Sequence, residues 1–140
     1  RTRGARRDFY ERYFAMQNLS GTTEDHKDQW WTMAEEEPQD SLRSMAQARL
    51  MGYHTGIGRD PDGALRAAEI AMFDQWDRDW ELQVTNLCTY ARYFRNDPEE
   101  LHRFVRGMRA LLDRLEAEEG EDRFDLSKAR EHLADSLKGI

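Results

Sequence analysis

Four histidines, one cysteine and a set of carboxylates are the residues of this chain whose types could do chemistry. Glu99 and His102 form a Glu-x-x-His step, which on a helix would put both side chains on one face, as in carboxylate-bridged metal bundles. Such a centre needs a second copy of the step, and the sequence has none. A mononuclear site from Glu99, His102 and His54 is the remaining metal alternative, set against the simpler reading of solvent-facing histidines among charged residues. Cys88 could be a nucleophile with His54 or His102 as its base. Its place beside Leu87 in an amphipathic stretch, without a local catalytic signature, favours a small buried hydrophobe instead. Gly-x-Ser-x-Gly and His-Glu-x-x-His are absent. Gly56-Ile57-Gly58-Arg59-Asp60 has the glycines of a phosphate loop but neither a preceding strand nor Gly-Lys-Ser/Thr. It reads as a helix stop and a turn, with glycine supplying positive φ. No cofactor is expected.

Aromatic and charged clusters add binding candidates. Trp76 and Trp80 are four apart and could edge a ligand or partner site, although core anchoring, as for Trp30 and Trp31, with the indole N–H finding a partner, is the commoner role. His102, Arg103, Arg106 and Arg109 form a basic strip, partly neutralised if Glu99 meets Arg103 and Arg109 meets Asp113 across a helical turn. Glu116, Glu118, Glu119, Glu121 and Asp122, with Gly120 among them, read as an acidic joint. Asn18-Leu19-Ser20 matches a glycosylation sequon, but nothing points to secretion.

These residues must be positioned by helices. Leu101, Phe104, Val105, Met108, Leu111, Leu112 and Leu115 recur at i, i+3 and i, i+4 spacings that trace one helical stripe over 98–118. Asp97 can accept from the exposed N–H groups at its start, Pro98 suits the first turn, and Glu99 and Glu100 suit its positive end. Asp60-Pro61-Asp62 repeats this signal ahead of Ala64, Ala67, Ala68 and Ala71, a helix running toward Trp76 whose small residues admit a close neighbour. A weaker copy, Glu37-Pro38-Gln39-Asp40, opens a helix through Met45, Ala46, Leu50 and Tyr53. Further helices are expected near 5–18, 24–36 and 79–95, and from Asp125 through Leu137. No segment alternates as a strand would. The expected fold class is all-α, with about seven helices in a single domain over 1–140.

The two clearest start signals, at Asp60 and Asp97, are 37 residues apart, and each lies between two helical stretches. Residues 41–118 thus read as two helix-turn-helix units, stacked because neither pair buries its apolar face alone. Ala48, Met51, Gly52, Ala64, Ala68 and Ala71, with the turn Asn96-Asp97-Pro98-Glu99-Glu100-Leu101, resemble the tetratricopeptide repeat. The second unit departs, with Thr89 opposite Gly52 and Met108 opposite Ala71. The resemblance implies a concave face lined by the first helix of each pair that binds an extended peptide or a partner helix. By this carry-over the partner-binding residues are Arg49 and Tyr53 of the first unit and Gln83, Asn86, Tyr90 and Tyr93 of the second. Arg49 and Tyr53 are four apart, as are Asn86 and Tyr90, so each pair shares a helix face. The alternative for Tyr53 and Tyr90 is a core ring with its hydroxyl at the edge.

Composition bounds the function. The chain has 140 residues, 35% of them charged, a net charge of −7 and a mean hydropathy of −0.97. Its 4 Trp, 5 Tyr and 6 Phe argue against disorder. No apolar run approaches the ~18 residues of a membrane span. A single cysteine rules out an internal disulfide framework and fits a reducing, cytoplasmic setting. Arg1, Arg3, Arg6 and Arg7 against Asp8 give the first ten residues +3, leaving −10 on the other 130. Residues 1–8 therefore read as a linker stub of a longer protein or a basic arm, and residues 119–140 as the acidic joint and terminal helix. The acidic body argues against duplex binding outside that arm. The expected function is a non-catalytic protein- or peptide-binding module, the scaffold or sensor part of a larger regulator, with a homodimer as a possible assembly. A helical metal- or cofactor-binding enzyme and a nucleic-acid accessory protein using the N-terminal arginines are the alternatives.

Overall fold

The computed structural model describes residues 11, 26–74, 80–119 and 125–139. The expected helix near 5–18, the N-terminal arginines, Trp76, Gly120 and the side chains of Trp80 and Glu119 lie outside the described set. The described residues form six α-helices and no strand. They are α1 (Lys27–Glu36), α2 (Asp40–Thr55), α3 (Pro61–Phe73), α4 (Trp80–Thr89), α5 (Pro98–Glu119) and α6 (Ser127–Ser136). A 3-10 helix, Tyr90–Phe94, continues α4. No helix among the described residues is long and apolar enough to cross a membrane.

The starts of α3 and α5 follow the expected chemistry. Asp60 Oδ1 accepts from the Asp62 N–H at 3.2 Å, and Asp97 Oδ1 accepts from the Glu99 and Glu100 N–H groups at 3.0 and 3.2 Å. Each carboxylate satisfies donors that the first helical turn leaves open, and its charge faces the positive helix end. Asp125 does the same ahead of α6, accepting from the Ser127 N–H at 3.0 Å and its hydroxyl at 2.6 Å. At α2 the acid works one step earlier, with Glu37 Oε2 accepting from the Gln39 N–H at 2.7 Å. The turn between α2 and α3 departs from expectation. Its positive φ, 39°, belongs to Arg59, while Gly56 sits at φ −98° and Gly52 lies inside α2.

The core is continuous from α1 to α6. The whole α5 stripe, Leu101 through Leu115, is buried, and Ala64, Ala67, Ala68 and Ala71 of α3 are buried against it and against α2. Alanines let these helices approach closely. Phe94 and Phe104 meet at 5.1 Å between ring centroids and are both fully buried, each contributing about 2–3 kcal/mol of apolar burial. α2 runs antiparallel to both α1 and α3. α3 runs parallel to α5, as Asp62–Arg103, Leu65–Gly107 and Glu69–Arg114 show in succession along them. The contacts Arg59–Glu100 and Asp62–Arg103 join residues 41 apart in sequence, so α5 sits about one helical turn beyond the 37-residue spacing of the start signals.

The second pair packs differently from the first. α2 and α3 lie against each other directly, whereas α4 packs mainly on α6 and reaches α5 through its 3-10 continuation. α4 and α6 are parallel: Glu81 Oε1 accepts from the Asp125 N–H at 3.0 Å near one end, and Arg95 donates to the Lys138 carbonyl at 2.9 Å near the other.

Candidate functional site

The residues expected to bind a partner fall into two groups. Arg49 points to α1, its guanidinium 4.8 Å from the Trp30 ring centroid. Tyr53 is half-buried and meets the His54 ring edge-on at 5.0 Å. On the other pair, Gln83 is half-buried and Asn86 exposed, and the Asn86 carbonyl accepts from the Thr89 hydroxyl at 2.6 Å. Tyr90 packs on the core, and its ring lies 5.7 Å from that of Tyr93, which is 45% exposed. Leu82 is 58% exposed. Leu82, Asn86, Tyr90 and Tyr93 are spaced by 4, 4 and 3 residues, so α4 and its continuation carry them as one stripe. α2 also touches the 3-10 segment, which places the two groups on neighbouring elements.

His54 is the unusual titratable group. It is buried at the end of α2, between Tyr53 and Trp31, whose ring centroid is 5.5 Å away. Neither ring nitrogen has a hydrogen-bond partner, and Asp60 Oδ2 stands 3.7 Å from Nδ1. Burial pushes the imidazole below its usual pKa, against the pull of Asp60. Glu99 and His102 are exposed on α5, whereas His54 is buried. Among the described residues, no three His, Cys, Asp or Glu side chains are grouped to hold a metal ion.

Cys88 is fully buried, and burial pushes its thiol up to about 12. A protonated thiol is a poor nucleophile, so the fold makes Cys88 a packing residue. Trp30 and Trp31 are buried, but the Trp30 indole N–H has no acceptor; what the ring meets instead is the Arg49 cation.

Two charges expected to pair within α5 pair with neighbouring helices instead. Arg103 reaches Asp62 of α3 at 3.4 Å instead of Glu99, and Asp113 is taken by Arg130 of α6 at 2.9 Å instead of Arg109. These pairs tie α5 to its neighbours. They are exposed, so each adds little to stability. One network is better shielded. Arg43 donates to both carboxylate oxygens of Asp74, at 2.6 and 2.9 Å, and to the Glu37 carbonyl at 2.8 Å. Gln47 donates to Asp74 at 2.7 Å and to the Ala34 carbonyl at 3.1 Å. This network clamps the starts of α2 and the ends of α1 and α3. Sequence reasoning passed over it, because Arg43 and Asp74 are 31 residues apart and belong to no motif. No protein-family model matches the chain, and neither the curated proteins nor the solved structures give a significant match.

Proposed function

We propose that this chain is a non-catalytic module that binds an extended peptide segment of a protein partner, as the scaffold or sensor part of a larger cytoplasmic regulator. In this reading its helix pairs act in the manner of tetratricopeptide repeats. The observation that carries it is the α4 stripe. Leu82 and Tyr93, two of the four large apolar side chains exposed among the described residues, flank Asn86 and Tyr90 on one face. Large apolar side chains held in water beside an amide and a phenol match the needs of a peptide, whose side chains want apolar contact and whose backbone wants donors and acceptors. The parallel course of α3 and α5 also agrees with two helix pairs stacked in the same sense.

Selection of binders from a displayed library of extended peptides, followed by affinity measurement on variants, tests this reading. Tyr93→Ala and Asn86→Ala should each weaken the selected peptides about tenfold, the loss expected of a central contact residue, while leaving the melting temperature within a few degrees. Tyr90→Ala should lower both, since Tyr90 also packs on the core. Selected peptides that bind the Tyr93→Ala and Asn86→Ala variants unchanged would remove the stripe as the site.

A further inference from the structure

A second recognition feature lies on the other side of the 3-10 segment, where it faces α6. A notch of about 240 Å³ opens there, with Cys88 in its floor and Arg92, Arg95, His132 and Asp135 around it. We propose that this notch binds a phosphoryl dianion.

In this acidic protein six of the eleven described arginines, Arg43, Arg59, Arg66, Arg103, Arg114 and Arg130, reach carboxylates. Arg92 and Arg95 have neutral acceptors instead. Arg92 donates to the Tyr93 hydroxyl at 3.1 Å, and Arg95 donates to the Lys138 carbonyl at 2.9 Å. The one carboxylate in the notch, Asp135, is paired with the Lys138 ammonium at 2.8 Å. Two cations three residues apart, one on the 3-10 helix and one just past its end, repel each other, and an anion between them would relieve that repulsion.

Geometry points the same way. The Arg92 guanidinium lies 5.0 Å from the Tyr93 ring centroid, so ring and hydroxyl together hold it in place. Arg95 is held by its carbonyl contact. Each contact uses one of the five N–H donors of a guanidinium, leaving the rest of the fork for a ligand. His132 adds an imidazole at the wall. Two guanidinium forks lining one notch suit the tetrahedral oxygens of a phosphoryl group, and their charge of two matches its dianion. The buried, protonated Cys88 thiol in the floor adds no competing negative charge. The notch is lined by residues other than those of the α4 stripe, and Tyr93 links the two by holding Arg92.

The test is a titration of isotope-labelled protein with inorganic phosphate, a phosphoserine peptide and the same peptide unphosphorylated, at constant ionic strength, followed by amide signals. Both phosphorylated ligands should move the signals of Thr89–Arg95 and His132–Ser136 to saturation, and the unphosphorylated peptide should leave them in place. Tighter binding of the phosphopeptide than of phosphate would identify a phosphorylated chain as the source; equal binding would identify a free phosphate or small phosphate ester. Arg92→Gln and Arg95→Gln should each weaken binding by about tenfold or more, and Asp135→Asn should strengthen it. If neither ligand saturates these signals by about 10 mM, where binding carries less than ~3 kcal/mol, the proposal fails. Unchanged affinity in the Arg92→Gln, Arg95→Gln double variant would overturn it equally.

Discussion

Gly63, in the first turn of α3, lies directly against the imidazole of His54 at the end of α2, with no room between them for a methyl group. The absent side chain lets the start of α3 close over the buried ring, and the hairpin turns tightly as a result. His54 cannot easily yield, since Trp31 and Tyr53 hold its other sides.

Gly63→Ala should therefore destabilise the fold by about 1–3 kcal/mol through overpacking, although alanine would ordinarily gain a helix up to ~1 kcal/mol over glycine. Gly52→Ala is the control, because nothing lies within 4 Å of the new methyl group. It should be neutral or stabilising by up to about 1 kcal/mol. Urea unfolding of the two variants checks the pair of signs.

A second close approach joins α3 to α5, where a side chain at Gly107 would run into Leu65. Gly107→Ala should cost about 1–3 kcal/mol. Adding Leu65→Ala should recover part of that loss, since the two substitutions act on one contact. A double-mutant cycle showing simple additivity would mean that the helices do not meet there.

His54 makes stability depend on pH. Burial holds its folded-state pKa below the usual 6.5, with Lys27 and Arg66 acting in the same direction and Asp60 opposing. The unfolded chain thus takes up a proton at this site before the folded chain does. Stability should be fully present above pH 6.5 and fall as the pH drops from there toward the folded pKa. The ring resonance of His54 should titrate with a midpoint below 6.5. The fall in urea midpoint between neutral and mildly acidic pH should be smaller in His54→Gln.

The Arg43–Asp74 pair is the shielded ionic contact most exposed to a simple test. Only 16% of the Arg43 side chain and 10% of the Asp74 side chain reach solvent. Asp74→Ala leaves a desolvated guanidinium and should cost about 2–4 kcal/mol. Arg43→Lys keeps the charge but loses the fork that grips both oxygens, and should cost about 1–2 kcal/mol. Thermal unfolding of both variants measures these losses, and a loss below ~0.5 kcal/mol in each would place the pair among ordinary surface contacts.

Local chemistry was readable without a structure. The α5 stripe follows from its apolar spacing, and the starts of α3 and α5 follow from Asp60-Pro61 and Asp97-Pro98, because capping involves residues two or three apart. The shared face of Asn86 and Tyr90 is readable in the same way. The tertiary structure alone decided who faces whom. Arg49 turned to Trp30, Arg103 to Asp62 and Asp113 to Arg130, since exposed charges pair with whichever helix packing brings near. One clue to the notch was present, as Arg92 has no acid three or four residues to either side. His132, however, is 40 positions from Arg92, and only the packing of α6 on α4 brings them together. Periodicity along one helix carries no information about its azimuth against the next, which is set by the fit of side chains across the interface.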